Sequence, residues 1–284
     1  MRQNAVIVPV TVLAAILAAW VYGGCGTPVV GTDGLHSRAE LVVFAAASLA
    51  QVARDLGAEF EERQDIRVIF NFAGSNTLAQ QISVAGLADV FLSADADWAR
   101  FLENRGRALP GSLRPLFSNR LVIIGHRSAA FSIDEPGHLL RRASLGLPNY
   151  RYLAVADPRG VPAGRYARRR LQGLDAPDGD SLWDALADRM APTLDVRAAL
   201  TLVESDPQIL GFVYRTDAAA SPHVRVLYEF PADPEQPIAY WGVQVAESGQ
   251  PAAARAFLDF LETESAADIV RRHGFESFPT GIAR

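Results

Sequence analysis

The chain has 284 residues, a formal net charge of −5, and 49% hydrophobic and 21% charged residues, an ordinary globular balance able to bury one or two cores. All 27 cationic residues are arginine, which excludes a pyridoxal Schiff base, a phosphate-loop lysine and a lysine general base. The acidic balance without a long basic run points away from a nucleic-acid partner, and the single cysteine, Cys25, makes neither an internal disulfide nor a cysteine zinc site.

The first segment reads as an address. Met1 and Arg2 precede an apolar run from Ala5 to Val21, followed by Tyr22-Gly23-Gly24-Cys25. A run of about 17 residues is at the short edge of a membrane span, and it fits the hydrophobic region of a signal peptide better than a core helix. The cysteine behind two glycines resembles the lipobox of bacterial lipoproteins, whose thiol is acylated and becomes the mature N-terminus. Tyr22 departs from the leucine usual three positions before that cysteine, and an uncleaved N-terminal anchor is the alternative. Residues 1–25 are therefore expected to be a signal peptide ending at a lipidated Cys25. Residues 26–39, with Gly, Pro, Thr and Ser, are expected to be a flexible leash. The mature protein is then extracytoplasmic and held to a membrane.

From Leu41 strand and helix patterns alternate. Leu41–Ala45 is an apolar run of buried-strand type. Leu49, Val52, Ala53, Leu56 and Phe60 follow at helical spacing. Ile66, Val68, Phe70 and Phe72 alternate as a strand, Leu78, Ile82 and Ala85 mark a helix, and Val90–Leu92 is a strand. Further strands are predicted at Leu121–Gly125, Leu153–Ala156, Ile209–Tyr214 and Tyr240–Val245, with helices near 164–173, 195–205 and 251–262. Such alternation predicts an α/β fold with mostly parallel sheets. About 245 residues beyond the leash exceed one typical domain and favour two lobes.

In folds of this class ligands sit beyond strand ends, at helix N-termini. Phe44–Ser48 and Phe72–Ser75 each end a strand in small residues and open a helix at a serine. Each serine is either a plain helix cap or a ligand donor. Pro162 and Gly164 suit a tight turn into a helix that exposes the N–H of Ala163 or Gly164. Asp195 can cap a helix whose first N–H belongs to Val196. Tyr214 ends a strand with a hydroxyl that either donates to a ligand or meets water. Asp89, Asp95 and Asp97 cluster near Trp98 and read as turn and cap residues rather than a cation site. The five histidines form no short-spaced pair, so no direct metal site is expected.

Phe44–Leu49, Phe72–Leu78, Ala88–Trp98, Asn119–Ile123, Leu153–Tyr166, Asp195–Leu200 and Leu210–Ala218 together resemble, in order and approximate spacing, the molybdate-binding proteins of ABC importers. The similarity runs from about Leu41 to Phe275. It implies a two-lobed, type II periplasmic-binding-protein fold with an oxyanion in the interlobe cleft. Lobe 1 would comprise 40–120 plus 229–284, and lobe 2 121–228. The resemblance carries ligand roles to the hydroxyls of Ser48 and Ser75, the backbone N–H groups of Ala163 and Val196, and the hydroxyl of Tyr214. It implies no cofactor, molybdate or tungstate as ligand, an importer permease as partner, and a monomer. Gly74 and Asn76 replace serines of some relatives. Arg165, where an aliphatic residue is common, reads as a solvated arginine on a helix face. Residues 277–284 extend past the family's usual end.

Sulfate, thiosulfate, phosphate or a metal ion on the same fold are rival ligands, though a ferric site would want more well-placed tyrosines than Tyr214. A secreted hydrolase using Ser48 or Ser75 would need a base with an orienting partner and lacks a G-x-S-x-G elbow.

Overall fold

The sequence AELVVFAA forms strand β1 (Ala39–Ala46), and its alternation divides the core around it. Leu41, Val43 and Ala45 enter one buried cluster, while Phe44 enters a second on the opposite face, as the period of two requires. The computed structural model describes residues 38–278 except 130, 132, 141–149 and 178. The expected signal segment with Cys25, the leash as far as residue 37, and 279–284 lie outside the described residues. β1 begins at Ala39, the last residue assigned to the leash.

A turn of 3-10 helix (Ala47–Leu49) leads from β1 into α1 (Ala50–Arg63). β2 (Ile66–Ala73), α2 (Ser75–Ala85), β3 (Val90–Ser93) and α3 (Ala96–Asn104) follow, then β4 (Arg114–Asn119) and β5 (Leu121–His126). β6 (Tyr152–Ala156), α4 (Pro162–Gln172), α5 (Leu182–Ala185), β7 (Met190–Thr193) and α6 (Val196–Ser205) come next, then β8 (Ile209–Tyr214), α7 (Arg215–Ala219) and β9 (Val224–Glu229). The chain closes with β10 (Ile238–Gln244), α8 (Pro251–Phe260), α9 (Glu264–Arg272) and the short β11 (Glu276–Ser277).

The strands form two sheets, ordered β11-β4-β10-β3-β1-β2 and β7-β6-β8-β5-β9. Both are mixed rather than simply parallel. β1 pairs in parallel with β2 and β3, whereas β10 is antiparallel to β3 and β4. In the second sheet β6 is parallel to β7 and β8, and β5 is antiparallel to β8 and β9. The antiparallel strands are those by which the chain changes sheet. β4 ends at Asn119 and β5 starts at Leu121, so one residue, Arg120, makes the first crossing. The return runs from β9 to β10.

That crossing is clasped by the C-terminal strand. Glu276 accepts from Nε of Arg120 at 3.1 Å and from Nη2 of Arg215 at 2.9 Å, which explains why β11 pairs with β4. Phe278 packs against Trp241 at 6.0 Å. Beside the crossing Phe117, Tyr240 and Phe275 stack mutually with centroids 5.1–5.4 Å apart. Each such aromatic pair contributes roughly 0.5–1.5 kcal/mol beyond its area burial.

Candidate functional site

Four helices begin where strands of the two sheets end, and their first residues meet. After β1 the chain turns at Ala47 and Ser48. After β2, Gly74 is the cap of α2 and Ser75 its first residue. After β6, Val161 precedes Pro162 at the first position of α4, where a missing N–H costs nothing and the fixed φ is already helical. After β7, Asp195 caps α6 by accepting from Ala198 N at 2.9 Å. Ser48, Ser75, Ala163, Val196 and Tyr214 all line one small cavity. Its volume is about 10 Å³, room for about one water molecule.

The cavity is lined by helix starts rather than by cationic side chains. Among the described residues that line it none is basic, and the one acid, Asp195, has its carboxylate engaged in the cap of α6. First-turn N–H groups have no partner inside their own helix, and each helix start carries a partial positive charge. Converging helix starts therefore suit an anion without a cationic side chain.

Neither serine is a helix cap, which removes one of the two readings left open by the sequence. No side chain caps the 3-10 turn, α1 or α2. Ser75 Oγ instead accepts from Ala94 N at 3.0 Å, and Ser48 Oγ accepts from the hydroxyl of Tyr240 at 3.0 Å. Each oxygen accepts one hydrogen bond, and each hydroxyl hydrogen remains available to donate. Tyr214 is 1% exposed, and its hydroxyl has no hydrogen-bond partner among the described residues. Burial pushes its pKa well above the ordinary value, keeping it a neutral donor. A buried hydroxyl that bonds to no described residue is a donor available to whatever fills the cavity.

Gly164 is not part of an exposed loop but lies inside the first turn of α4. A Cβ there would stand 1.8 Å from the carbonyl oxygen of Ala156. Only glycine lets the start of α4 press against the end of β6, and that approach brings Ala163 to the cavity.

Contacts across the two sheets close the surroundings. Trp98 Nε1 donates to the carbonyl of Gly160 at 2.7 Å. Arg165 is not a solvated helix-face residue as expected: its guanidinium donates to Asp95 at 3.0 Å and also pairs with Asp97. Burial raises Asp95 to about 6, opposed by the Trp98 N–H and by Arg165. Asp95 is indeed the cap of α3. Asp89, read as a turn residue, instead joins β1 to the segment before α8, accepting from Val42 N, Ser248 Oγ and Gln250 N.

Sequence reasoning missed three residues around the cavity. Tyr240 was read only as part of a strand, although a buried tyrosine needs a partner for its hydroxyl. Asn119 donates to Thr216 Oγ1 at 2.9 Å and to Tyr240 Oη at 3.4 Å. Asp217 is buried beside Arg197, 3.3 Å away, and burial raises it to about 7. Among the described residues no group of three or more His, Cys, Asp or Glu is placed to hold a metal ion.

Comparison with known proteins gives a consistent picture. Residues 41–276 match the family model described as bacterial extracellular solute-binding protein. The molybdate-binding protein ModA of Escherichia coli (strain K12) is 37% identical over 249 residues, 87% of this chain and 92% of that protein. The molybdate-binding protein ModA of Haemophilus influenzae is 36% identical over 84% of this chain and 91% of that protein. The solved Azotobacter vinelandii periplasmic molybdate-binding protein superposes with a TM-score of 0.69 at 24% identity, covering 84% of this chain and 99% of that one.

Proposed function

The chain belongs to the bacterial extracellular solute-binding proteins, among the molybdate-binding proteins of that family, and from that premise we propose that its cavity captures molybdate or tungstate for delivery to the permease of an ABC importer. It is a binding protein and not an enzyme. In this reading the two sheets with their helices are the two lobes, 40–120 with 229–284 and 121–228, and the cavity is the cleft between them. Ser48 and Ser75 donate through their hydroxyls from the first lobe. Ala163 and Val196 donate through backbone N–H groups, and Tyr214 through its hydroxyl, from the second.

The observation that carries this reading is a cavity built of donors with no cation and no free carboxylate. Several dipoles spread the charge of a dianion, and a dry cleft strengthens each charge-assisted bond. A ring of donors also rejects an oxyanion that keeps a proton, because its O–H would face another hydrogen. Molybdate and tungstate are fully deprotonated near neutral pH and larger than sulfate, whose oxygens fall short of some donors.

Thermal melting with molybdate, tungstate, sulfate and phosphate tests the assignment. A ligand bound only by the folded state stabilises it by about 2.7 kcal/mol at a hundred times its Kd. Molybdate and tungstate are expected to raise the melting temperature well above the other two. An equal shift from sulfate or phosphate would remove the ligand assignment and leave the fold.

The protein acts outside the cytoplasm. We further read Cys25 as acylated after cleavage behind Gly24, with residues 26–39 as leash and the mature protein a monomer. Acyl chains add ~0.8 kcal/mol per buried CH₂, so more than one long chain anchors stably. Mass spectrometry of the N-terminal peptide from membrane fractions decides it: a diacylglyceryl Cys25 supports the reading, and an unmodified cysteine within an intact 1–30 segment rejects it.

A further inference from the structure

We infer that Tyr240, held by Asn119, is a positioning residue that fixes Ser48 as a hydrogen-bond donor and thereby helps set which protonation state of an oxyanion the cleft accepts. The inference rests on the oxyanion reading above and names a determinant of its selectivity.

The argument follows hydrogens one bond at a time. Arg120 N donates to Asn119 Oδ1 at 2.9 Å. A backbone N–H can only donate, so that contact fixes which end of the amide is oxygen. Asn119 Nδ2 then faces Thr216 Oγ1 and Tyr240 Oη, and the amide nitrogen can only donate to both. Tyr240 Oη, buried with its ring at 0% exposure, receives a hydrogen from Asn119 and has one of its own. That one goes to Ser48 Oγ at 3.0 Å. Ser48 has thus accepted, and its own hydrogen is directed away from Tyr240, on a residue that lines the cavity.

Ser75 reaches the same polarity in a single step, because Ala94 N–H supplies its oxygen directly. The two serines are therefore set alike by different means, one by a backbone amide and the other by a chain of side chains that starts on one. The 3.4 Å contact between Asn119 and Tyr240 is the longest in that chain. The Tyr240 ring itself is held by Phe117, Phe275 and Tyr214, so its hydroxyl has little freedom to seek another partner. Without that hydroxyl Ser48 is free to rotate and present a lone pair to the cavity. An oxyanion that carries a proton would then find an acceptor.

The test is a double-mutant cycle read by calorimetry with molybdate at neutral pH, on wild type, Ser48→Ala, Tyr240→Phe and the double variant. Tyr240→Phe is expected to weaken molybdate binding about five- to thirty-fold in the wild-type background and hardly at all once Ser48 is alanine. Tyr240→Phe is also expected to raise the affinity for phosphate, which keeps a proton near neutral pH, relative to sulfate, which does not. An equal loss from Tyr240→Phe in both backgrounds, or an unchanged phosphate-to-sulfate ratio, overturns the inference. Should Tyr240→Phe fail to fold, Asn119→Ala enters the same cycle with the same directions and smaller changes expected, since it removes the donor that occupies Tyr240 Oη and lets that oxygen accept from Ser48 instead. A wild type that does not prefer molybdate would instead sink the functional reading, a result distinct from a molybdate binder whose Tyr240 is uncoupled from Ser48.

Discussion

The indole N–H of Trp98 donates to the carbonyl oxygen of Gly160 at 2.7 Å, tying α3 beside the first sheet to the turn that leads into α4 beside the second. Arg165 adds two ion pairs over the same gap, to Asp95 and Asp97. These ties hold the start of α4 opposite the start of α2, so the walls of the cavity depend on groups that do not touch its contents.

Replacing Trp98 by Phe keeps most of the ring and removes that bond. Arg165→Ala removes both ion pairs and leaves Asp95 buried beside Asp97 without its cation. Each substitution is expected to weaken molybdate binding about three- to ten-fold, on the scale of one lost hydrogen bond, and to enlarge the ligand-free protein in small-angle scattering. Because Arg165 is only 29% exposed in its side chain, the loss is expected to persist at high salt, where a surface pair would already be screened. Unchanged scattering and affinity in both variants would show the ties to be incidental.

Under the proposed function Ser48→Ala and Ser75→Ala each remove one charge-assisted bond to the anion. The expected loss is about 1.5–3 kcal/mol, or roughly ten- to a hundred-fold in Kd, measured by calorimetry. Silence of both serines would end the neutral-donor account.

Tyr214→Phe is expected to separate binding from stability. It removes a buried hydroxyl that bonds to no described residue, so no hydrogen bond within the fold is lost, and denaturant unfolding of the variant is expected to match wild type within about 1 kcal/mol. Molybdate affinity is expected to fall roughly tenfold or more in calorimetry. A variant that is much less stable and binds normally contradicts the assigned role.

Much of this was legible in the sequence because its signals are local. The apolar run of β1 and the helical spacing of Leu49, Val52, Leu56 and Phe60 follow from covalent periodicity alone. The five cavity residues could be named in advance from the resemblance carried by the strand-end segments, whose local pattern alone left helix cap or donor, and Ala163 or Gly164, open. β4 and β7, RPLFSN and MAPT, carry prolines and polar residues, and their strand character comes from neighbours in the sheet. Arg165 was misjudged because its partners lie 68 and 70 residues away. Tyr240 reaches Ser48 across 192 residues, a distance over which no spacing rule speaks. The serines looked like caps because cap and ligand donor share one local pattern; only the positions of Ala94 and Tyr240 separate them.

Stability is expected to fall as pH rises through the neutral range. Burial raises Asp95 to about 6 and Asp217 to about 7 from the ordinary aspartate value of about 3.9. Between that value and the raised ones the folded chain keeps protons that the unfolded chain has released, so the fold is favoured at the acid end of the window and loses ground as those carboxyls ionise. Asp217→Asn removes the larger part of this slope. Its unfolding free energy is expected to gain on wild type from pH 5 to pH 8 by an amount on the order of 2 kcal/mol, read as a relative rise in melting temperature. Parallel pH profiles for the two proteins would show that Asp217 does not titrate as described.

The bonds that orient Ser48 and Ser75 come from Tyr240 and from Ala94 N, both on the same side of the cleft as the serines themselves. Under the proposed function that wall presents its donors without help from the opposite one. An anion would then meet prealigned hydroxyls first, and the ties across the gap would govern how long it stays. Encounter and residence answer to different residues. Stopped-flow traces should show the serine variants with slower association, and the Trp98 and Arg165 variants with normal association and faster escape.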